Sequence, residues 1–136
     1  MISLENKLFE EIDKPEESRI ISEDKDKGIL ERESSWTGQI TGFSSFPSGI
    51  ATGHGISKIF KNSLSISNWL GVFTTDEGQE ITFIGKDVNK EGKFYVLRTF
   101  FTTVEELGSL NGLVCILYGR HDMERNSFVC TGYKLM

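Results

Sequence analysis

The chain has 136 residues, which suits one domain with a core of its own, and a formal net charge of −5 at pH 7. The charge is concentrated at the start, because residues 1–33 hold 11 Asp and Glu against 6 Lys and Arg, whereas residues 34–136 hold nine of each. No basic face is therefore expected, and without one a phosphate backbone has no source of affinity, which argues against nucleic acid as a partner.

The sequence predicts a cytoplasmic protein. Its first residues, MISLENKLFEEIDK, do not place a basic segment before an apolar one, so a secretory signal is not expected. No run approaches the roughly 18 apolar residues that a membrane helix needs, so no membrane partner is expected. Cys115 and Cys130 lie in apolar runs without metal-ligand spacing, which favours buried, reduced thiols over a disulfide.

Residues 1–27 form an acidic leader, for which the sequence predicts a short helical turn followed by a linker. The apolar side chains of the helix would be Leu4, Leu8, Phe9 and Ile12, which recur at helical spacing. Ser3 is the expected cap, and Pro15 lies beyond the helix end. The charged stretch 13–28 is typical of a linker. The helix is expected to rest on the remainder of the chain, to fray, or to bind a partner.

Residues 28–136 are predicted to form a β-barrel domain. Turn signals such as PSG, DEG and NKEG separate runs of strand-like length and composition. The predicted strands are 29–34, 36–42, 50–60, 63–73, 79–88, 93–103, 112–119 and 127–135, with a connecting turn and one helical turn near 103–109. About eight strands with short connections predict an all-β, antiparallel fold. The run 113–118 is apolar on both faces, which favours a closed barrel.

Two hairpins predict which side chains point inwards. If NKEG forms a four-residue turn, Val88 lies opposite Lys93, and one face of the two strands is clearly the more apolar. This interior face carries Ile81, Phe83, Val96, Arg98 and Phe100.

The preceding hairpin extends the same face. A four-residue turn at 75–78 places Thr74 opposite Gln79. The side chains that then join the interior are Leu64, Ile66, Asn68, Leu70 and Val72. Trp69 points outwards beside Ile84, and such an exposed pair predicts a subunit contact or a seat for the N-terminal helix.

The strands near 94–101 and 113–118 carry apolar side chains on both faces. A small solvated barrel exposes less apolar surface than this. We therefore expect either a homo-oligomer or coverage of these strands by the N-terminal segment.

Four segments resemble a known family of barrels: SSWTGQITG, ATGHGISKIF, EGKFYVLRTFF and LGSLNGLVCILYG. In this order they are similar to the small calycin-like barrels related to allene oxide cyclase, and in particular to their uncharacterised prokaryotic relatives. The resemblance covers roughly Gly28 to Leu135. It implies an eight-stranded, oligomeric barrel whose lumen holds an apolar ligand. No catalytic residue of the cyclase can be placed on this chain.

Arg98 is the candidate functional residue, because a guanidinium between Val96 and Phe100 on an interior face must be paired or hydrated. As a ligand-binding residue, with Asn68 nearby on the neighbouring strand, it would anchor the polar end of an apolar ligand at the barrel mouth. The alternative, which the sequence favours, is a structural role in which Arg98 reaches solvent or pairs with an interior carboxylate such as Asp87.

The sequence predicts no catalytic residue, metal site or cofactor. His54 in GHG and His121 in RHDMERN have no fixed ligand spacing, and no GxSxG elbow is present. The favoured function is a non-enzymatic barrel that binds a small apolar molecule. An isomerase or cyclase, by fold analogy alone, is the first alternative. A protein-interaction module with a side-chain-filled barrel is the second.

Overall fold

A computed structural model describes residues 6–136. Its eight strands are β1 (Lys7–Asp24), β2 (Ile29–Gly42), β3 (Gly49–Phe60), β4 (Leu64–Thr75), β5 (Glu80–Lys90), β6 (Lys93–Phe101), β7 (Val114–Asp122) and β8 (Ser127–Lys134). Each strand pairs with the next in antiparallel fashion, and β1 pairs with β8 to close the barrel. The predicted all-β, eight-stranded antiparallel barrel is therefore confirmed.

The leader is a barrel strand, so the predicted helix and linker are wrong over residues 7–24. Phe9 and Glu11 are buried, and they alternate with the exposed Glu10 and Ile12. This is the two-residue period of a strand. β1 pairs with β2 from Phe9 to Asp24 and with β8 from Lys7 to Asp13, whereas a lone short helix gains little in water. The part of the predicted helix at residues 3 and 4 lies outside the described residues.

The second strand also differs from the prediction. It runs without a break from Ile29 to Gly42, where two strands were predicted. The count of eight strands is still right, because β1 supplies the strand that this fusion removes.

The hairpin between β5 and β6 keeps the predicted faces, although its turn is shorter than predicted. Lys90 pairs with Lys93, which leaves Glu91 and Gly92 as a two-residue turn with φ angles of 54° and 82°. A change of two residues in turn length moves the register without exchanging the faces. The side chains of Ile81, Phe83, Val96, Arg98 and Phe100 are accordingly buried, as predicted.

The hairpin between β4 and β5 reverses the predicted faces of β4. Thr74 pairs with Glu80 rather than Gln79, so the loop has one residue more than predicted. A slip of one residue turns every side chain of a strand to the other face. Ile66 and Leu70 are therefore exposed, and Trp69 lies inside the barrel, contrary to prediction. Leu64 and Val72 share the outer alternation.

One half of the barrel interior is a packed aromatic core. The rings of Phe9, Phe46, Phe73, Phe83 and Phe100 contact one another with centroids 4.9 to 6.4 Å apart. Phe46 reaches this core from the β2–β3 loop. A 3-10 helix at Glu105–Leu110 follows β6 and adds the buried Leu110, which confirms the predicted connecting turn.

The two cysteines are buried free thiols, as predicted. Burial raises the pKa of Cys115 to about 12 and also raises the pKa of Cys130, so both stay protonated at neutral pH. Within residues 6–136, no helix is long and apolar enough to cross a membrane.

Candidate functional site in the barrel lumen

The other half of the lumen holds a cavity of about 440 Å³. It exists because the inward positions of neighbouring strands carry small residues there. These residues are Ser57 on β3, Ser65 and Ser67 on β4, and Gly85 on β5. The hydroxyl oxygens of Ser57 and Ser67 are 2.6 Å apart, so one hydroxyl donates a hydrogen bond to the other. The barrel is thus filled at one end and open at the other.

Two tryptophans give the cavity an aromatic wall. Trp36 of β2 and Trp69 of β4 both line it, and their rings meet edge to face with centroids 6.3 Å apart. Gly53, on the strand between them, makes the room for this pair, because a Cβ at that position would overlap the Trp36 indole. A flat, apolar ligand surface would find a complementary face here.

Arg98 lies between the cavity and the aromatic core, and it is paired. Its side chain is 3% exposed, and it donates two hydrogen bonds to Glu11 of β1, at 2.6 Å from Nη1 to Oε1 and 3.1 Å from Nη2 to Oε2. The guanidinium carbon lies 4.4 Å from the ring centroid of Phe83. Arg98 Nε has no hydrogen-bond partner among the described residues.

Glu11 and Asp13 share one corner of the lumen with Arg98. Burial alone would raise the pKa of Glu11, but the charge and hydrogen bonds of Arg98 outweigh it and lower the pKa, so Glu11 is ionised. Burial, and then the neighbouring Glu11 carboxylate, raise the pKa of Asp13 well above its usual value. Glu11 and Arg98 form an ion pair in this corner, and the neighbouring Asp13 Oδ1 is buried and has no hydrogen-bond partner among residues 6–136.

Asp87 of β5 is a carboxylate without a cation. Burial raises its pKa to about 6, although a hydrogen bond that Trp69 Nε1 donates to Asp87 Oδ2 at 3.4 Å opposes the rise. The other oxygen, Oδ1, is buried and has no partner among residues 6–136. At neutral pH most Asp87 side chains are ionised, and an unpaired, partly buried carboxylate is a typical feature of a functional site.

Polar groups surround the open end of the cavity. Arg32 and Glu17 line it from β2 and β1, and His121 lines it from β7. The His121 ring stacks on Phe128 with centroids 4.6 Å apart, and its Nε2 lies 3.4 Å from Asn126 Oδ1. The other histidine, His54, is exposed on the outside of β3.

The structure separates the two residues that the sequence paired as ligand anchors. Arg98 lies in the lumen, and its partner is Glu11 rather than Asp87. Asn68 is exposed on the outer face of β4, between the inward Ser67 and Trp69, so its predicted place beside Arg98 is wrong.

Sequence reasoning missed most of the cavity wall. Trp69 was assigned to the wrong face, and Glu11 and Asp13 were hidden in a segment assigned to helix and linker. The sequence carried little signal for this pair, because two of the three inward positions Phe9, Glu11 and Asp13 are acidic and do not show the apolar alternation of a strand.

No protein-family model matches the chain, and no curated protein matches it. Several solved structures share the fold. A β-barrel-like protein from Acinetobacter baumannii is 16% identical, with a TM-score of 0.78 over 96% of this chain and 94% of that one. A protein of unknown function from Clostridium acetobutylicum is 12% identical, with a TM-score of 0.74 over 96% and 97%. An enzyme from Penicillium herquei is 15% identical, with a TM-score of 0.70 over 95% and 92%.

These similarities show that the chain is a small β-barrel of a kind found in proteins of unknown function. Identities of this size establish the fold and carry no information on ligand or reaction. The names of these proteins do not include an allene oxide cyclase, so the resemblance to that family stays a prediction.

Proposed function

We propose that this barrel binds a small aromatic molecule in its lumen. The observation that carries the proposal is the cavity of about 440 Å³ inside a closed barrel, because ligand pockets typically have volumes of about 300–1,000 Å³. Its tryptophan wall and a few polar groups match the composition of such pockets, and three of these groups, Asp13, Asp87 and Arg98, have unpartnered atoms. The ligand proposed here is more polar than the apolar molecule expected from the sequence.

The polar groups of the cavity are the reason for this change. The apolar interior predicted from the sequence is concentrated in the phenylalanine core, whereas the cavity is lined by serines, Asp87 and Asn89 beside the tryptophans. Arg98 would contact the ligand only through its free Nε, because Glu11 occupies the other end of its guanidinium.

Blocking the lumen tests the proposal. Indole, a small aromatic probe, should bind the wild type with a change in tryptophan fluorescence, and Ser67→Phe should abolish binding by filling the cavity. Asn68→Phe is the matched control, because it places the same ring one residue away on the outer face. Native mass spectrometry of the purified protein should also detect a bound small molecule. Equal indole binding by the wild type and Ser67→Phe, or no binding at all, would overturn the proposal.

An isomerase or cyclase is the second candidate. One observation favours it: Asp87, with a pKa of about 6 and a free oxygen, is suited to general-base catalysis near neutral pH. A base in the lumen would accelerate deuterium exchange at the carbon next to the carbonyl of 2-tetralone in heavy water. Asp87→Asn should remove this acceleration. Exchange at the buffer rate with wild-type protein contradicts the catalytic role.

Self-association fits the outer surface of β4 to β7. Seven apolar side chains there are each 42–51% exposed: Ile66, Leu70, Ile84, Val88, Tyr95, Leu97 and Tyr118. Within this patch, cross-strand pairs join Ile66, Val88, Tyr95 and Tyr118 from β4 through to β7 and also join Leu70 to Ile84, and Leu97 follows Tyr95 on the same face of β6. The alternative cover, the N-terminal segment, is used over residues 7–24 as β1.

We take a second copy of this chain as the partner of the patch. Association through this patch must be face to face, because each of its strands β4 to β7 is already paired on both sides. The patch is self-complementary in character, because it is apolar and Lys86 is the only charged side chain that its strand pairs enclose. Leu97→Glu should convert an oligomer into a monomer in light scattering, whereas Ile12→Glu, equally exposed on β1, should not. A monomeric wild type contradicts this proposal.

A cytoplasmic location remains part of the proposal. Two buried thiols without a disulfide are usual in a reducing compartment. Fractionation of the native cells, with immunodetection of the protein, would place it.

A further inference from the structure

The charges of the lumen do not balance at the cavity. The acidic residues that line it are Asp13, Glu17 and Asp87, and the basic ones are Arg32 and Arg98, with His121 at the open end. Arg98 is engaged by Glu11, and Asp13 lies beside this ion pair. Asp87 lies apart from this group, on β5, and no described side chain compensates its charge.

The strands on both sides of Asp87 supply no cation except Arg98, which pairs with Glu11. On β4 the inward neighbours are Ser65, Ser67 and Trp69, and on β6 they are Phe94, Val96 and Arg98. Arg98 has no part in the causes that set the pKa of Asp87, which are burial and the Trp69 hydrogen bond. No salt bridge within residues 6–136 includes Asp87.

The surfaces beside Asp87 are of a type that binds organic cations. Trp69 donates to Asp87 Oδ2 and meets Trp36 edge to face, so the carboxylate and the aromatic wall are adjacent. Tryptophan faces attract ammonium groups through their quadrupole, most strongly where water is excluded. An aromatic wall beside an unpaired carboxylate distinguishes a cationic ligand from a neutral or anionic one.

We propose that the lumen selects a small aromatic amine, whose ammonium group lies at the free Asp87 Oδ1 and whose ring lies against Trp36 and Trp69. This inference rests on the proposed lumen-binding function and names the class of its ligand. The ammonium provides the donor and the positive charge that Oδ1 lacks. An anionic ligand would face the carboxylates of Asp87 and Glu17.

Three molecules with one ring system separate the possibilities. Tryptamine is a cation, tryptophol is its neutral alcohol analogue and indole-3-acetate is an anion. Calorimetry at pH 7.5 therefore compares the affinities of three ligands that differ in charge and have nearly the same shape. Tryptamine should bind at least about tenfold more tightly than tryptophol, as expected for one charge-assisted hydrogen bond in a partly buried site. Indole-3-acetate should bind most weakly.

Asp87→Asn should remove the preference for the cation, so that tryptamine no longer binds more tightly than tryptophol. Glu80→Gln is the matched control, since it removes an exposed carboxylate from the outer face of the same strand. In the wild type, tryptamine affinity should fall as the pH drops through about 6, where Asp87 gains a proton, because the amine stays charged throughout. This pH series needs no variant.

The outcomes distinguish the two levels of the proposal. Tryptophol or indole-3-acetate bound as tightly as tryptamine overturns the cationic ligand and leaves lumen binding intact. A tryptamine affinity that does not change between pH 5 and 7.5 also overturns it. If neither indole nor any of the three analogues binds, the proposed lumen function fails, and the inference fails with it.

Discussion

The two ends of the barrel interior are built from the same sheet, but one end is packed with side chains and the other encloses a cavity. At one end, phenylalanines from β1, β4, β5 and β6 meet Phe46 from a loop and fill the barrel. At the other end, serines and glycine on the same β3, β4 and β5 leave a cavity of about 440 Å³. Barrel closure fixes the volume, and side-chain size decides whether that volume becomes core or site. The Glu11–Arg98 pair lies at the boundary.

Removing one partner of the boundary pair should have the largest effect. Arg98→Met leaves the buried Glu11 carboxylate without a cation, so we expect a loss of about 3–5 kcal/mol in the free energy of unfolding, measured by urea denaturation. The double variant Arg98→Met with Glu11→Leu should lose less than the sum of the single variants, because no buried charge is left unpaired.

If Arg98→Met unfolds at the same urea concentration as the wild type, this prediction is contradicted, and the Glu11–Arg98 pair does not contribute to the free energy of unfolding. The loss should also be greater above pH 5 than at pH 3. The folded-state pKa of Glu11 is lowered, so its ionised form adds stability above the ordinary value of 4.5 that disappears as the pH falls.

Truncating a ring at each end tests the contrast in packing. Phe100 is fully buried among four other phenylalanines, and Phe100→Ala should lower stability by about 3 kcal/mol or slightly more. Phe128 is partly buried beside His121 at the cavity, and Phe128→Ala should lower stability by about 1 kcal/mol. Similar losses at both ends, measured by thermal unfolding, would show that the ends are packed alike.

The packed end was the more predictable of the two. An error of two residues in the β5–β6 turn moves the register without exchanging the faces, so Phe83 and Phe100 stayed inside. The faces of β4 were not decided by pattern, because apolar residues occur on both of them. Ile66 and Leu70 were assigned inwards where Ser67 and Trp69 belong.

The open end was hard to predict for a physical reason. A site needs polar groups where a core needs apolar ones, so its strands lose the alternation that identifies the inward face. Glu11 and Asp13 made β1 look like a solvated leader. Arg98 was recognisable because its two apolar neighbours fixed its face, but its partner lies 87 residues away in sequence and only the closure of β1 onto the barrel brings them together.

The ionised Asp87 carboxylate should lower the free energy of unfolding. Its folded-state pKa of about 6 lies above the ordinary 3.8, so the unfolded chain ionises more readily and stability falls as the pH rises through this window. At about 1.36 kcal/mol per pKa unit, Asp87→Asn should gain roughly 2–3 kcal/mol at pH 7.5. The gain should vanish near pH 3, and Glu80→Gln should show no such pH-dependent gain in parallel urea titrations.

Adding one side chain at each end gives the smallest effect and the most direct comparison of the two. Ala51→Leu inserts methylene groups into the packed end, where Ala51 is fully buried, and should lower stability by about 1–3 kcal/mol. Ser67→Leu directs a similar side chain into the cavity, so only its hydrogen bond with Ser57 is lost, and stability should change by about 1 kcal/mol or less. Ser67→Leu should nevertheless weaken indole binding, which Ala51→Leu should leave unchanged if it folds. If Ser67→Leu lowers the melting temperature as much as Ala51→Leu does, the cavity collapses in solution, and the open end is then a second core rather than a site.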